Sequence, residues 1–113
     1  MTLPKEGHLL RVFIGESDKY EGMPLFEWIV RKARKEGIAG ATVLRGLMGY
    51  GAHSQVHTAS IERLSLDLPL IVEIVDTLEK IEAFLPLIEP AVREGLITVE
   101  RVQIRIHRPQ QRD

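Results

Sequence analysis

At 113 residues the chain has room for one domain built on one core, and a chain of this size buries roughly 65% of the surface it exposes when unfolded. A hydrophobic share of 44% excludes wholesale disorder, and 15 basic against 16 acidic side chains lack the basic excess of a general nucleic-acid or anionic-membrane binder. With no cysteine, disulfide frameworks, thiol catalysis and most structural zinc sites are excluded.

Met1 to Gly7 has no apolar stretch of the signal-peptide kind, and no run approaches the roughly 20 apolar residues that span a bilayer. A cytoplasmic protein that is not an integral membrane protein is expected. His8 to Glu16 (HLLRVFIGE) predicts the first strand, and Ser17 to Gly22 a polar turn. Pro24 suits the first position of a helix, where a missing N–H costs nothing. Leu25, Trp28, Ile29 and Ala33 follow at helical spacing, flanked by Phe26 and Val30. Arg31, Lys32, Arg34 and Lys35 fill the last turns, and Gly37 supplies the C-terminal cap.

Ala41 to Gly49 predicts a second strand, and Tyr50 to Glu62 a long mobile loop without periodicity. Leu68 to Val75 predicts a buried third strand. Asp76, with Glu79 three residues on, has the form of a capping box that opens a second helix. Its stripe is Leu78, Ile81, Leu85, Ile88 and Val92, and Pro86 predicts a kink or a broken last turn. Ile97 to His107 predicts the last strand, followed by a polar tail. The order β-α-β-β-α-β makes this an α+β, ferredoxin-like fold, an antiparallel sheet with two helices on one face. Residues 1–113 form one such domain, with its core over 8–107.

Side-chain parity sorts the strands into faces. Val102, Ile104 and Ile106 are expected to meet the helices, with Arg101, Gln103, Arg105 and His107 opposite. The helix-free face is expected to mix Phe13, Val43, Leu47, Ile71 and Val75 with a few charges. That is more apolar than a solvent-facing sheet, and burial by other copies of the chain follows as an expectation.

The run Arg45-Gly46-Leu47-Met48-Gly49-Tyr50-Gly51 ends a strand with closely spaced glycines. Such glycines let a phosphate approach backbone N–H groups, or they simply form a bulge and a turn. His53 and His57 have metal-ligand spacing only on a helix, and none is indicated there, so they remain weak metal candidates. Ser17 with Asp18, and Ser54 with His57, lack a third member or an oxyanion device. Glu73 among arginines reads as a structural ion pair before a perturbed acid. No catalytic residue is assigned.

Gly22-Met23-Pro24-Leu25, Ile29-Val30-Arg31 and Gly40-Ala41-Thr42-Val43-Leu44-Arg45-Gly46 resemble the PII-like domain-of-unknown-function family one-ninety. So do Gly49-Tyr50-Gly51-Ala52, Ile61, Leu68-Pro69 and Val72-Glu73-Ile74-Val75-Asp76, and the resemblance runs from about His8 to Ile106. It implies a PII-like homotrimer with a regulatory, ligand-sensing function. In signal-transduction PII proteins the long loop meets target proteins and adenine nucleotides sit between subunits at its base. The resemblance thus implies adenine-nucleotide binding by Arg45, Gly49, Tyr50, Gly51, Arg101 and Arg105, and an unidentified target protein met through loop 50–62. The second phosphate loop of those proteins, rich in glycine and lysine, has no counterpart in Arg93-Glu94-Gly95-Leu96-Ile97. AMP or ADP therefore fits the basic inventory better than ATP, and no cofactor is required. The alternative reading is a trimeric metal-binding protein or small-molecule enzyme using His53, His57 and Glu73.

Overall fold

Two strands carry the core, because every second residue over much of each is apolar and packs on the same face. Leu10, Val12 and Ile14 of β1 (Glu6–Gly15) are buried beside Leu70, Val72 and Ile74 of β5 (Pro69–Asp76). The computed structural model describes residues 2–50 and 67–109. Between the two strands lie β2 (Lys19–Tyr20), β3 (Met23–Pro24), α1 (Leu25–Lys35) and β4 (Thr42–Arg45). After β5 come α2 (Leu78–Ile88), a 3-10 turn (Glu89–Ala91) and β6 (Leu96–Gln103). The four long strands form one antiparallel sheet in the order β4-β5-β1-β6. This is the expected ferredoxin-like arrangement, with the central pair β5 and β1 flanked by edge strands.

Both helices cover the same face. Helix α1 buries Leu25, Ile29 and Ala33, one stripe at a spacing of four residues, and lies over β5. Helix α2 buries Ile81, Phe84 and Ile88 and lies over β1. Each large side chain fully removed from water contributes roughly 1.5–3 kcal/mol, so this layer is the main source of stability. Gly37 N–H bonds to the Arg34 carbonyl and Ile38 N–H to the Ala33 carbonyl, the Schellman pattern that ends α1 with Gly37 at φ +78°. The stretch expected to be a turn forms the small β2–β3 hairpin, whose central residues Glu21 and Gly22 both have positive φ, at 50° and 80°. Such a turn matches the twist of a two-residue hairpin. The hairpin sets Tyr20 edge-on against Trp28 of α1, ring centroids 4.7 Å apart.

Helix α2 begins one residue later than a capping box at Asp76 requires. Thr77 is the N-cap, its hydroxyl accepting the Lys80 N–H at 3.2 Å. Asp76 is freed for another task. It is 3% exposed; one carboxylate oxygen accepts the Thr77 N–H at 2.7 Å and the other the Ala39 N–H at 2.9 Å. The end of β5 is thereby tied to the segment leading into β4. Lys80 adds a second tie, donating to the Gly37 carbonyl at 2.7 Å. Pro86 sits inside α2 without ending it at once: the helix runs on to Ile88 and then tightens into the 3-10 turn.

The edge strands differ from expectation in length and in facing. β4 stops at Arg45 and β6 at Gln103. Val43 lies opposite the buried Val72, so it belongs to the helix-covered face, and its neighbour Leu44, opposite Ile71, takes the free face. On β6, Ile97 lies opposite Val12 and Arg101 opposite His8, on the helix side, while Val102 lies opposite Gly7 on the free side. Most of the segment expected to form a long loop, Gly51 to Glu62, lies outside the described residues.

Asp76→Ala would leave two N–H groups without their acceptor inside the fold, each worth about 1–3 kcal/mol. Urea unfolding of this variant is expected to show a loss of about 2–4 kcal/mol. Asp76→Asn, which keeps one carbonyl acceptor, should lose less. A loss within experimental error for Asp76→Ala would show that the tie between β5 and the β4 approach carries no stability.

Candidate functional site

The turn after β4 is shaped by Pro69. Gly46 N–H donates to the Pro69 carbonyl at 2.7 Å, and a Cβ on Gly46 would lie 2.8 Å from Pro69 Cγ. A Cβ on Gly49 would lie 3.2 Å from the same atom. Both positions are small because the turn folds down onto the proline ring. Arg45, the last residue of β4, donates from Nη2 to Glu16 Oε2, and the other oxygen of Glu16 is buried without a partner among the described residues. Beyond Arg45 the surface is apolar, with Leu47 85% and Tyr50 75% exposed. Gly51, His53 and His57 lie outside the described residues.

Arg101 and Arg105 sit elsewhere. Arg101 is on β6 opposite His8, exposed, with Nη1 3.7 Å from the Glu6 carboxylate. Arg105 follows the end of β6, where the chain runs beside the N-terminal segment. There Ile104 N–H donates to the Lys5 carbonyl, and Leu3 N–H donates to His107 Nδ1 at 2.9 Å. These segments wall a groove of about 730 Å³ that crosses the end of the helix-free face. Leu9, Val75, Val102, Ile104 and Ile106 supply apolar lining, Gly40 to Thr42 the far wall, and Glu73, Arg105 and His107 the polar groups. That volume falls within the roughly 300–1,000 Å³ of small-molecule sites.

Within one chain the candidate arginines are far apart. Arg45 lies on the β4 edge, at the Gly15–Pro69 end of the sheet; Arg101 lies on the β6 edge, at the Glu6–Asp76 end. Three strand spacings across and six residues along place them about 25 Å apart by standard sheet dimensions. A single phosphate cannot be held by both from one chain.

The helix-free face lies between these two corners. The register places Leu9, Phe13, Leu44, Ile71, Val75, Leu96 and Val102 on it. Its charged side chains are Arg11, Glu73 and Glu100. Arg11 Nε donates to Glu73 Oε2 at 2.9 Å and Nη1 donates to Glu100 Oε1 at 2.6 Å. The hydrogen bond to Glu73 is the largest cause raising the Arg11 pKa above its ordinary value, opposed by desolvation and assisted by the charge of Glu100. Glu73 is thus the structural ion-pair member that its neighbours suggested. Among the described residues no group of three or more His, Asp or Glu is placed to hold a metal ion. None of the helices described is long and apolar enough to cross a membrane.

Comparison with known proteins places this architecture in the PII-like class of ferredoxin-like folds. CPII from Thiomonas intermedia K12, solved bound to ADP and bicarbonate, superposes with a TM-score of 0.66 at 18% identity over 88% of each chain. CPII bound to ADP, AMP and acetate gives 0.63 at 17% identity, again over 88% of each chain. The DUF190 family profile, "Uncharacterized ACR", matches residues 7–104. A UPF0166 protein of Aquifex aeolicus (strain VF5) is 38% identical over 96 residues, 85% of this chain and 90% of that protein. The chain belongs to the DUF190 (UPF0166) family.

Gly46→Ala is expected to lose about 1–3 kcal/mol of stability, the usual cost of forcing an added methyl into a closed contact. Gly40→Ala, where an added Cβ meets nothing within 4 Å, should stay within about 1 kcal/mol of wild type. Equal stability of the two variants in urea unfolding would contradict the packing of the turn on Pro69.

Proposed function

We propose that the chain is a PII-like regulatory protein that assembles as a homotrimer and binds a small adenine nucleotide, AMP or ADP, where two copies meet. The observation that carries this reading is the separation of Arg45 from Arg101 at opposite corners of one sheet. The uncovered apolar face between them supplies the reason for copies to associate. In this assembly Arg45, Gly49, Tyr50 and Gly51 of one copy face Arg101, Arg105 and the adjoining groove of a neighbour. The groove offers apolar walls to a base and the guanidinium groups offer bidentate pairing to phosphate. The PII-like fold shared with CPII, a protein solved with ADP and AMP, supports the ligand class.

A nucleotide with one or two phosphates suits the site better than ATP. The loop that would meet a third phosphate is short and has no lysine. Its Gly95 is consumed by packing, with φ +145° and a Cβ position closed by the Phe13 carbonyl. Loop 50–62 is the segment through which a target protein would read the ligand, and a cytoplasmic location goes with this role.

Titration calorimetry with AMP, ADP and ATP tests the reading. Binding below millimolar concentration is expected, with AMP or ADP tighter than ATP. Arg45→Ala and Arg101→Ala should each weaken binding about 10-fold or more, the loss of one charged hydrogen-bonded contact. Absence of adenine-nucleotide binding below millimolar concentration would overturn it.

A further inference from the structure

The helix-free face is largely apolar, with one polar row across its middle: Thr42 and Thr98 on the edge strands and, between them, Arg11 held by two carboxylates. Glu73 is on β5 and Glu100 on β6, with Arg11 on the strand that separates them. The guanidinium reaches both, at 2.9 Å and 2.6 Å. The acids therefore have a partner within their own chain, and the face presents hydrophobic surface whose central charges are already engaged. We propose that Arg11 is the residue that lets this face close on copies of the same chain, by holding Glu73 and Glu100 so that neither enters the interface as an unpaired carboxylate.

The occupant that fits is a second copy. A strongly charged partner would find the central charges already engaged, whereas an identical face brings matching apolar area with its own charges held in the same way. This inference rests on the homotrimer reading and adds the residue on which it turns. The physical asymmetry is large. Covering a complete hydrogen-bonded ion-pair group is tolerable, and replacing the whole group by neutral residues is often neutral or favourable. Removing only the cation leaves buried charge without compensation and is strongly unfavourable.

Light-scattering mass across a dilution series, with circular dichroism to monitor folding, provides the test. Wild type is expected to be a trimer at micromolar concentration. Arg11→Met should raise the concentration at which the trimer dissociates by about 100-fold or more. Arg11→Met combined with Glu73→Gln and Glu100→Gln should return it to within about 10-fold of wild type. Arg11→Met that assembles as well as wild type overturns the inference while leaving the trimer intact. A triple variant that folds but stays monomeric overturns it as well. Should Arg11→Met fail to fold, the triple variant decides alone: reassembly supports the role of Arg11 and a folded monomer contradicts it. A monomeric wild type overturns the trimer reading itself, an outcome distinct from the other two.

Discussion

A sheet has two faces, and among the described residues the helices cover one. Helices α1 and α2 both pack on the side of Leu10, Val12, Val72 and Ile74, and that side is closed. The opposite side keeps Phe13, Ile71 and Val75 in the central strands, with Leu44 and Leu96 more than 40% exposed at the edges. An antiparallel sheet that faces water normally alternates toward polar residues on that side. Here the alternation runs from one apolar set to another, interrupted by an ion-pair group and the two threonines, Thr42 and Thr98, in line with it. The incompleteness of the helix layer underlies the proposed assembly, the position of the groove and the role given to Arg11.

The same constraint governs where a ligand can be held. Strand order β4-β5-β1-β6 puts Arg45, at the end of β4, and Arg101, on β6, at diagonally opposite corners. No side-chain rotation in one copy joins them. Each corner has polar groups that are locally occupied, Arg45 by Glu16 and Arg101 by Glu6. A phosphate arriving at either arginine competes with a carboxylate already there, and two cations from different copies would favour the phosphate where one does not. In the proposed trimer, assembly and ligand binding would be coupled through the same surface.

Much of this was legible in the sequence where one pattern had one solution. In β1 and β5 a charged residue, Arg11 or Glu73, marks one parity as the face the helices do not cover, and the stripe Leu25, Ile29, Ala33 admits one helix face. β4 was not legible in this way. Val43 and Leu44 are adjacent and both apolar, so parity alone cannot say which one faces the helices, and only the pairing of Val43 with Val72 decides it. β6 poses the same problem with Leu96 and Ile97, and with Val99 and Val102 on opposite faces. The purpose of Gly46 depends on Pro69, across a segment with no local signal of that contact. Asp76 was visible as a helix-start residue, but its bond to Ala39, 37 residues earlier, is a tertiary feature that no local motif contains. For Arg45 and Arg101 the sequence marked chemistry suited to phosphate, while their separation appeared only with the strand order.

If one binding site is made by two copies, mixing variants will restore it. Arg45→Ala copies and Arg101→Ala copies are each expected to bind ADP weakly alone. Unfolded together in equal amounts and refolded, they should form mixed trimers. In a cyclic trimer whose sites each take Arg45 from one copy and Arg101 from the next, random mixing restores about a quarter of the sites to wild-type affinity. Recovery of that fraction in a calorimetric titration is the result predicted here. No recovery, in a mixture shown by mass to have exchanged its subunits, would mean that a single chain holds the site and would contradict the account.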